Sequence, residues 1–325
     1  MAKKSKDLLD EILQIDGAEF LKVRNYEWIS TGHAGLNYTL SGDMRKGIPL
    51  GCIIELFGAE GLGKSTLGHK LLAEIQKAGG IAVLIDVEGG FNQAQIQRAN
   101  IPNPEKIITC KKKDLISIVA FIYKTIEILA EKGYKGLILW DSYAATRLDA
   151  QTGGIAEEAR VMSIAMKRFL SILPDSQVSL VIINQLRDNM KGKMVFATTT
   201  QPGGWAMKHG PQIRIELNKT SGREKICGFM NDNAGKAIIA SITKSKFHPP
   251  GQCQMGILYK YGIDWEFSLM SEAYVHGLIK PEGGWWKWDG KNYRKSDFWL
   301  ALKKDEKMRA ELERKLEEFY KGGDA

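Results

Sequence analysis

GAEGLGKST, residues 58–66, fits G-x-x-x-x-G-K-[ST] in full. It follows the apolar run CIIELF and opens a stretch with helical spacing over 64–78. Strand, glycine loop and helix are the context this motif requires. Glycines let the backbone wrap closely around an anion, and successive N–H groups point inward. The start of the helix adds a favourable dipole. The motif marks Gly58, Ala59, Glu60, Gly61, Leu62, Gly63, Lys64, Ser65 and Thr66 as a phosphate cradle. Lys64 is expected to reach the β- and γ-phosphates of a nucleotide, and Ser65 to ligate Mg²⁺.

Strands and helices alternate outward from the cradle. IAVLID, LILWD and VSLVII read as buried strands. Helical spacing runs through DLISIVAFIYKTIEILAEKG and 157–172. This order predicts an α/β fold with a mostly parallel central sheet covered on both faces. QIRIEL and AIIASIT read as further strands with no helix between them. Near the N-terminus, Leu8, Leu9, Ile12 and Leu13 share one helical face, and EFLKV has strand composition. Past 265 the texture changes to GGWWKWDGKNYRKSDFW, a hairpin with DG at its turn, followed by a charged helix over about 297–321. These aromatics read as the core of a small α+β domain, with Lys287, Lys291, Arg294 and Lys295 as candidate duplex contacts.

Two acids complete the first site. Asp141 ends LILWD, at the strand end where α/β sheets bind ligands, and is expected to hold Mg²⁺. Glu88, just past IAVLID, or Asp86 at its end could activate a water, and alternation sends both to the same face. The four cysteines show no metal-ligand spacing and read as reduced thiols of a cytoplasmic protein. No apolar run is long enough to cross a bilayer, so no membrane role is expected. The net charge of +8 leans toward a polyanionic partner.

The stretch NQLRDNMKGKMVFATTTQPGG, 184–204, has no period and is too long for an idle connection. It interleaves Arg187, Lys191 and Lys193 with Met190, Met194, Val195 and Phe196. Cations for phosphates and apolar groups for base faces suit single-stranded DNA. Gly203 and Gly204 let backbone N–H groups approach a phosphate.

ISTGHAGLNYTLSG, IPLGCIIELFGAEGLGKST, IDVEGGFN, LWDSYAA, MSIAMKRF, IINQLR, TTTQPGGWAMK, ITKSKFHPP and ILYKYGIDW run in order from Ile29 to Trp265. In these motifs, and over most of its length, the chain resembles the RecA family of ATP-dependent DNA recombinases. The resemblance implies a RecA-like P-loop NTPase core at 31–265, an N-terminal oligomerisation segment at 1–30 and a C-terminal α+β domain at 266–325. It implies that Glu88 is the catalytic glutamate and that Gln185 senses the γ-phosphate and signals into the following loop. Lys244 and Lys246 would reach the ATP of an adjacent protomer. A first DNA loop would cover DAQTGGIAE, 149–157, with Ile155 as a wedge and Arg160 and Lys167 beyond it. The second would be the aperiodic stretch, with Met190 or a neighbour as its wedge.

The implied partners are ATP, Mg²⁺, single-stranded DNA, homologous duplex and further copies in a helical filament, with a loader or single-strand-binding protein besides. Some positions depart from the bacterial pattern. Gln95 stands where a tyrosine stacks on adenine, and Asn92 where there is an aspartate, while Tyr259 is kept. The second loop differs in length, and the chain ends KLEEFYKGGDA without a long acidic tail. These departures suggest a diverged member, of the kind a phage or other mobile element carries. Two other functions fit a P-loop core: a ring-forming helicase or translocase, and a non-hydrolysing ATP-binding regulator.

Overall fold

The computed structural model describes residues 9–21, 23–148, 154–185, 204–220 and 234–322. Arg187, Met190, Lys191, Lys193, Phe196 and Gly203 lie outside these residues, as does most of the first DNA loop. After a helical turn at 9–13, the segment expected to be a strand at EFLKV is not one in its described part. Leu21 and Val23 are 90% and 81% exposed. Among the described residues no strand pairs with them, and β-propensity without a partner does not make a strand.

A short ladder of β1 (Trp28–Ile29) and β2 (Ile48–Pro49) brackets α1 (Ala34–Ser41). There follow β3 (Ile53–Gly58), α2 (Lys64–Lys77), β4 (Ile81–Asp86), α3 (Gln93–Ala99) and β5 (Ile108–Thr109). Next come α4 (Leu115–Glu131), β6 (Gly136–Asp141), α5 (Ile155–Ile172), β7 (Val178–Ile183), α6 (Gly204–His209) and β8 (Ile213–Lys219). Two antiparallel strands close the large sheet, β9 (Gly235–Ser245) and β10 (Gln252–Leu258). The C-terminal part holds α7 (Trp265–Val275), β11 (Pro281–Glu282), β12 (Trp285–Trp288), β13 (Lys291–Tyr293), α8 (Lys295–Lys304) and α9 (Glu306–Gly322).

The main sheet has eight strands in the order β10-β9-β8-β3-β7-β6-β4-β5, parallel from β8 through β5. Every residue of β3, β6 and β7 is buried, as their mostly apolar runs predict, and the burial extends to Glu55 and Ser179. Side chains alternate between two cores. Ile54, Leu56, Leu139 and Ile183 meet Leu67, Leu71 and Ile75 of α2 on one face. Ile53, Ile138, Leu180 and Ile182 meet α4 and α5 on the other. Helix α4 begins because Asp114 accepts from the Ser117 amide at 2.8 Å. Its buried face is Leu115, Ile118, Ile122, Ile126 and Leu129, spaced by three and four. Burying each such side chain fully contributes about 1.5–3 kcal/mol.

A third core joins α1 to the C-terminal elements through Ala34, Phe267, Trp286, Phe298 and Leu312. The DG turn forms as expected, with positive φ at both Asp289 and Gly290. Trp286 is fully buried and stacks on Tyr274, while Trp285 stays on the surface under Arg294. The single charged helix expected over 297–321 is two helices. Asp305 is extended between them, and its carboxylate caps α9 through the amides of Lys307 and Met308, each at 3.0 Å.

Candidate phosphate-binding site

The carboxyl ends of β3, β4, β6 and β7 face one crevice, as open α/β sheets place their ligands. The loop after β3 is held in shape by glycine. Gly58 has φ +142, and a Cβ there would lie 2.3 Å from the Leu217 carbonyl oxygen. Gly63 has φ +89 and ends the loop as the left-handed residue before α2. Lys64 is buried, and its Nζ donates to the carbonyls of Gly58 and Ala59 at 3.0 and 2.7 Å. Burial lowers its pKa, against the opposing pull of Asp141, Glu60 and Glu88.

A cavity of about 250 Å³ opens above the loop. Lys64, Ser65, Glu88, Asp141 and Gln185 line it, from four places in the sequence. Burial first, and then the charges of Glu88 and Asp86, raise the Asp141 carboxyl to about 6. The Ser65 hydroxyl donates to it and works the other way. The Ser65 hydroxyl and the buried Asp141 carboxylate form a hard, all-oxygen donor pair suited to Mg²⁺. The glycine-walled loop and Lys64 suit the phosphates of ATP.

Asp86 and Glu88 have different settings in the structure. Asp86 accepts from the amides of Gly89, Gly90 and Phe91 at 2.9, 3.2 and 2.9 Å, so it caps the turn after β4. Glu88 reaches the cavity instead. The Ser142 hydroxyl donates to its Oε1 at 2.7 Å and the Gln185 amide at 3.3 Å. Gln185 is therefore in contact with the acid it is expected to work beside.

Behind Gln185 is a polar group that the sequence reading passed over. Asn184 Oδ1 accepts from the Gln185 backbone amide at 3.0 Å, and its Nδ2 donates to Glu55 Oε1 at 3.0 Å. Glu55 is fully buried in the middle of β3. Its other oxygen accepts from Arg214 Nε at 2.6 Å, and the Arg214 guanidinium lies 4.5 Å from the centre of the Phe57 ring. Burial raises the Glu55 pKa, with Arg214 and Asn184 opposing. A glutamate inside the run CIIELF is the signal that would have found it.

The other expected residues fall elsewhere. Lys244 and Lys246 do not line the cavity. Lys244 sits opposite Arg214 on β9 and donates to the His209 carbonyl at 2.7 Å. Burial lowers its pKa, and the charges of Lys246 and Arg214 lower it further. Asn92 and Gln95 form the capping box of α3, which uses the polar groups of both side chains. Tyr259 is 48% exposed, away from the cavity. Arg160 is paired with Glu157 through two hydrogen bonds on the surface of α5, and Lys167 is exposed two turns later. Ile155 begins α5, and Gly204 begins α6 with φ +54. Trp205, which the sequence reading did not single out, is exposed and stacks on His209.

A larger hollow of about 510 Å³ lies between α1, β10 and α9. Its carboxylate, Glu272, already accepts from the Tyr320 hydroxyl at 2.7 Å, and it has no glycine cradle. The glycine loop and Lys64 line the smaller cavity instead.

The family model for the RecA N-terminal domain matches residues 10–264, which span the loop, both acids and Gln185. The chain belongs to the RecA family. Protein RecA of Mycoplasmopsis pulmonis (strain UAB CTIP) is 30% identical over 253 residues, 76% of this chain and 72% of that protein. Protein RecA of Thermus aquaticus is 28% identical over 267 residues, 80% and 75% of the two chains. Protein RecA of Allochromatium vinosum is 28% identical over 275 residues, 82% and 76%. The RecA-like core expected from the motifs is thus present, with the small antiparallel C-terminal sheet appended to it. Among the described residues, no helix is long and apolar enough to cross a membrane.

Proposed function

We propose that this RecA-family chain is an ATP-dependent recombinase that assembles on single-stranded DNA and pairs it with homologous duplex. One observation carries the reading: Gln185 joins Glu88 at the cavity and directly precedes the long basic and apolar stretch of the sequence. Lys64 and the loop amides hold the phosphates of ATP, and Ser65 and Asp141 hold Mg²⁺, which together supply an activated γ-phosphate. Glu88 takes a proton from the attacking water, with Ser142 and Gln185 fixing its Oε1. Gln185 gives up or strengthens its bond to Glu88 according to what fills the cavity. That choice sets the backbone entering the DNA loop. Arg187, Lys191, Lys193 and Phe196 of that loop, with Gly203 and Gly204, contact the DNA.

Assembly has support in the surface. Ile12, Ile15, Phe20, Leu21 and Val23 are exposed in the N-terminal segment. A groove of about 470 Å³ between α4 and α5, lined by Ile116, Val119, Ile164 and Phe169, is free on the core. The N-terminal segment of one copy docks in the groove of the next, which brings Lys244 and Lys246 to its neighbour's ATP. Residues 1–30 then form the oligomerisation segment, 31–265 the ATPase core and 266–325 a C-terminal domain.

A strand-exchange assay with ATP, Mg²⁺ and homologous substrates tests the reading. Wild type exchanges strands, Glu88→Gln forms filaments that do not turn over, and Phe196→Ala loses DNA pairing. Closed rings by electron microscopy, with no exchange, would refute it in favour of a translocase.

A further inference from the structure

Lys236 belongs neither to the glycine loop nor to the Lys244/Lys246 pair. It stands one residue into β9, and its Nζ donates to the carbonyl of Gly61 in the glycine loop. It lines the cavity beside Lys64, Glu88 and Gln185. The two lysines are in different electrostatic settings. Asp141, Glu60 and Glu88 all act on Lys64. The charge acting on Lys236 is that of Arg98, a second cation, which lines the adjoining hollow with Ser65 and Thr66. Burial and Arg98 both lower the Lys236 pKa, and Lys236 in turn lowers that of Lys64. Among the described residues, neither Lys236 nor Arg98 pairs with a carboxylate. A carbonyl oxygen is a weak partner for an ammonium group that faces like charges at the mouth of an anion cradle. An anion between Lys236 and Lys64 relieves the repulsion and supplies charge-assisted hydrogen bonds.

We propose that Lys236 is a second phosphate-binding lysine, supplied by the same chain as the glycine loop, that contacts the terminal phosphate of a bound nucleoside triphosphate. The proposal rests on the ATP reading of the cavity and deepens it. Lys244 and Lys246 do not line this cavity and reach a triphosphate only in an assembly. Lys236 is already in place in the isolated chain. It therefore gives an unassembled protomer a preference for triphosphate over diphosphate.

The test is calorimetric titration of the full chain, without DNA, with ATPγS and separately with ADP, in Mg²⁺ buffer. Lys236→Ala is expected to weaken ATPγS binding roughly ten- to hundredfold, the value of one charge-assisted hydrogen bond. ADP binding should change by less than about threefold. Lys236→Arg, which keeps the charge, should bind ATPγS within about fivefold of wild type. Unchanged ATPγS binding by Lys236→Ala overturns the proposal alone. So do equal losses for both nucleotides, or a loss in Lys236→Arg as large as in Lys236→Ala. If wild type binds neither nucleotide, the ATP reading fails, and this proposal fails with it.

Discussion

Replacing Arg214 with methionine would strand the buried Glu55. Glu55 has no exposed surface, and the Arg214 side chain is 11% exposed, so water cannot stand in for the guanidinium. Methionine keeps the length and the contact with Phe57 but removes the 2.6 Å hydrogen bond and the charge. Removing one partner of a buried ion pair costs about 3–5 kcal/mol. For a chain of 325 residues each kcal/mol lowers the melting temperature by about 1.5 °C, so a drop of roughly 4–8 °C is expected. The loss should also depend on pH. Burial already raises the Glu55 pKa, and Arg214 is the first group opposing that rise. Without Arg214 it climbs further above its unfolded value. The native state then binds a proton that the unfolded state lacks, and stability falls as pH rises through that interval. Arg214→Met should thus lose less stability at about pH 5.5 than at about pH 8. The assay is a pair of thermal melts at those two pH values. A drop under about 2 °C, or equal drops at both pH values, would refute the argument that Arg214 neutralises a buried charge.

Glu88→Gln should slow DNA-stimulated ATP turnover by about 10²- to 10⁴-fold with nucleotide binding retained, measured by phosphate release and by titration. Ile164→Glu, in the groove between α4 and α5, should leave the melting temperature within about 2 °C of wild type yet abolish assembly in light scattering with ATPγS and DNA. Unaltered assembly would remove that groove from the interface. Cys52 is buried and its thiol is pushed up to about 12, whereas Cys110 is half-buried. Iodoacetamide at about pH 8 should label Cys110 well before Cys52, as read by peptide mass spectrometry.

The glycine loop and the strands β3, β4, β6 and β7 were legible because each carries a local signature. Glycine spacing encodes the loop, and mostly apolar runs encode buried strands. Other features depended on the fold. Asp86 and Glu88 share a face in an extended chain, and only the turn after β4, which curls around Asp86, separates them. Strand β10, QCQMGIL, lacks alternation because its polar half lies beyond the core and its apolar half inside it. EFLKV has strand composition and no partner. Asp305 splits a charged helix whose composition continues across the break. Lys236 is a lone lysine with no motif, and its meaning comes only from the loop that β9 crosses.

Asn184 and Gln185 are consecutive residues with different freedoms. Asn184 is buried and tied to β3 through both Glu55 and the Leu56 carbonyl, the latter at 2.9 Å. Among the described residues, Gln185 is held by the 3.3 Å bond from its side chain to Glu88 and the bond from its amide back to Asn184. A hinge clamped on one side can turn only the other way. In the proposed function, a displacement imposed on Gln185 by the cavity meets this clamp behind it and passes forward, to the residues that follow. The clamp would thus act as a rectifier, giving the proposed signal a direction along the chain.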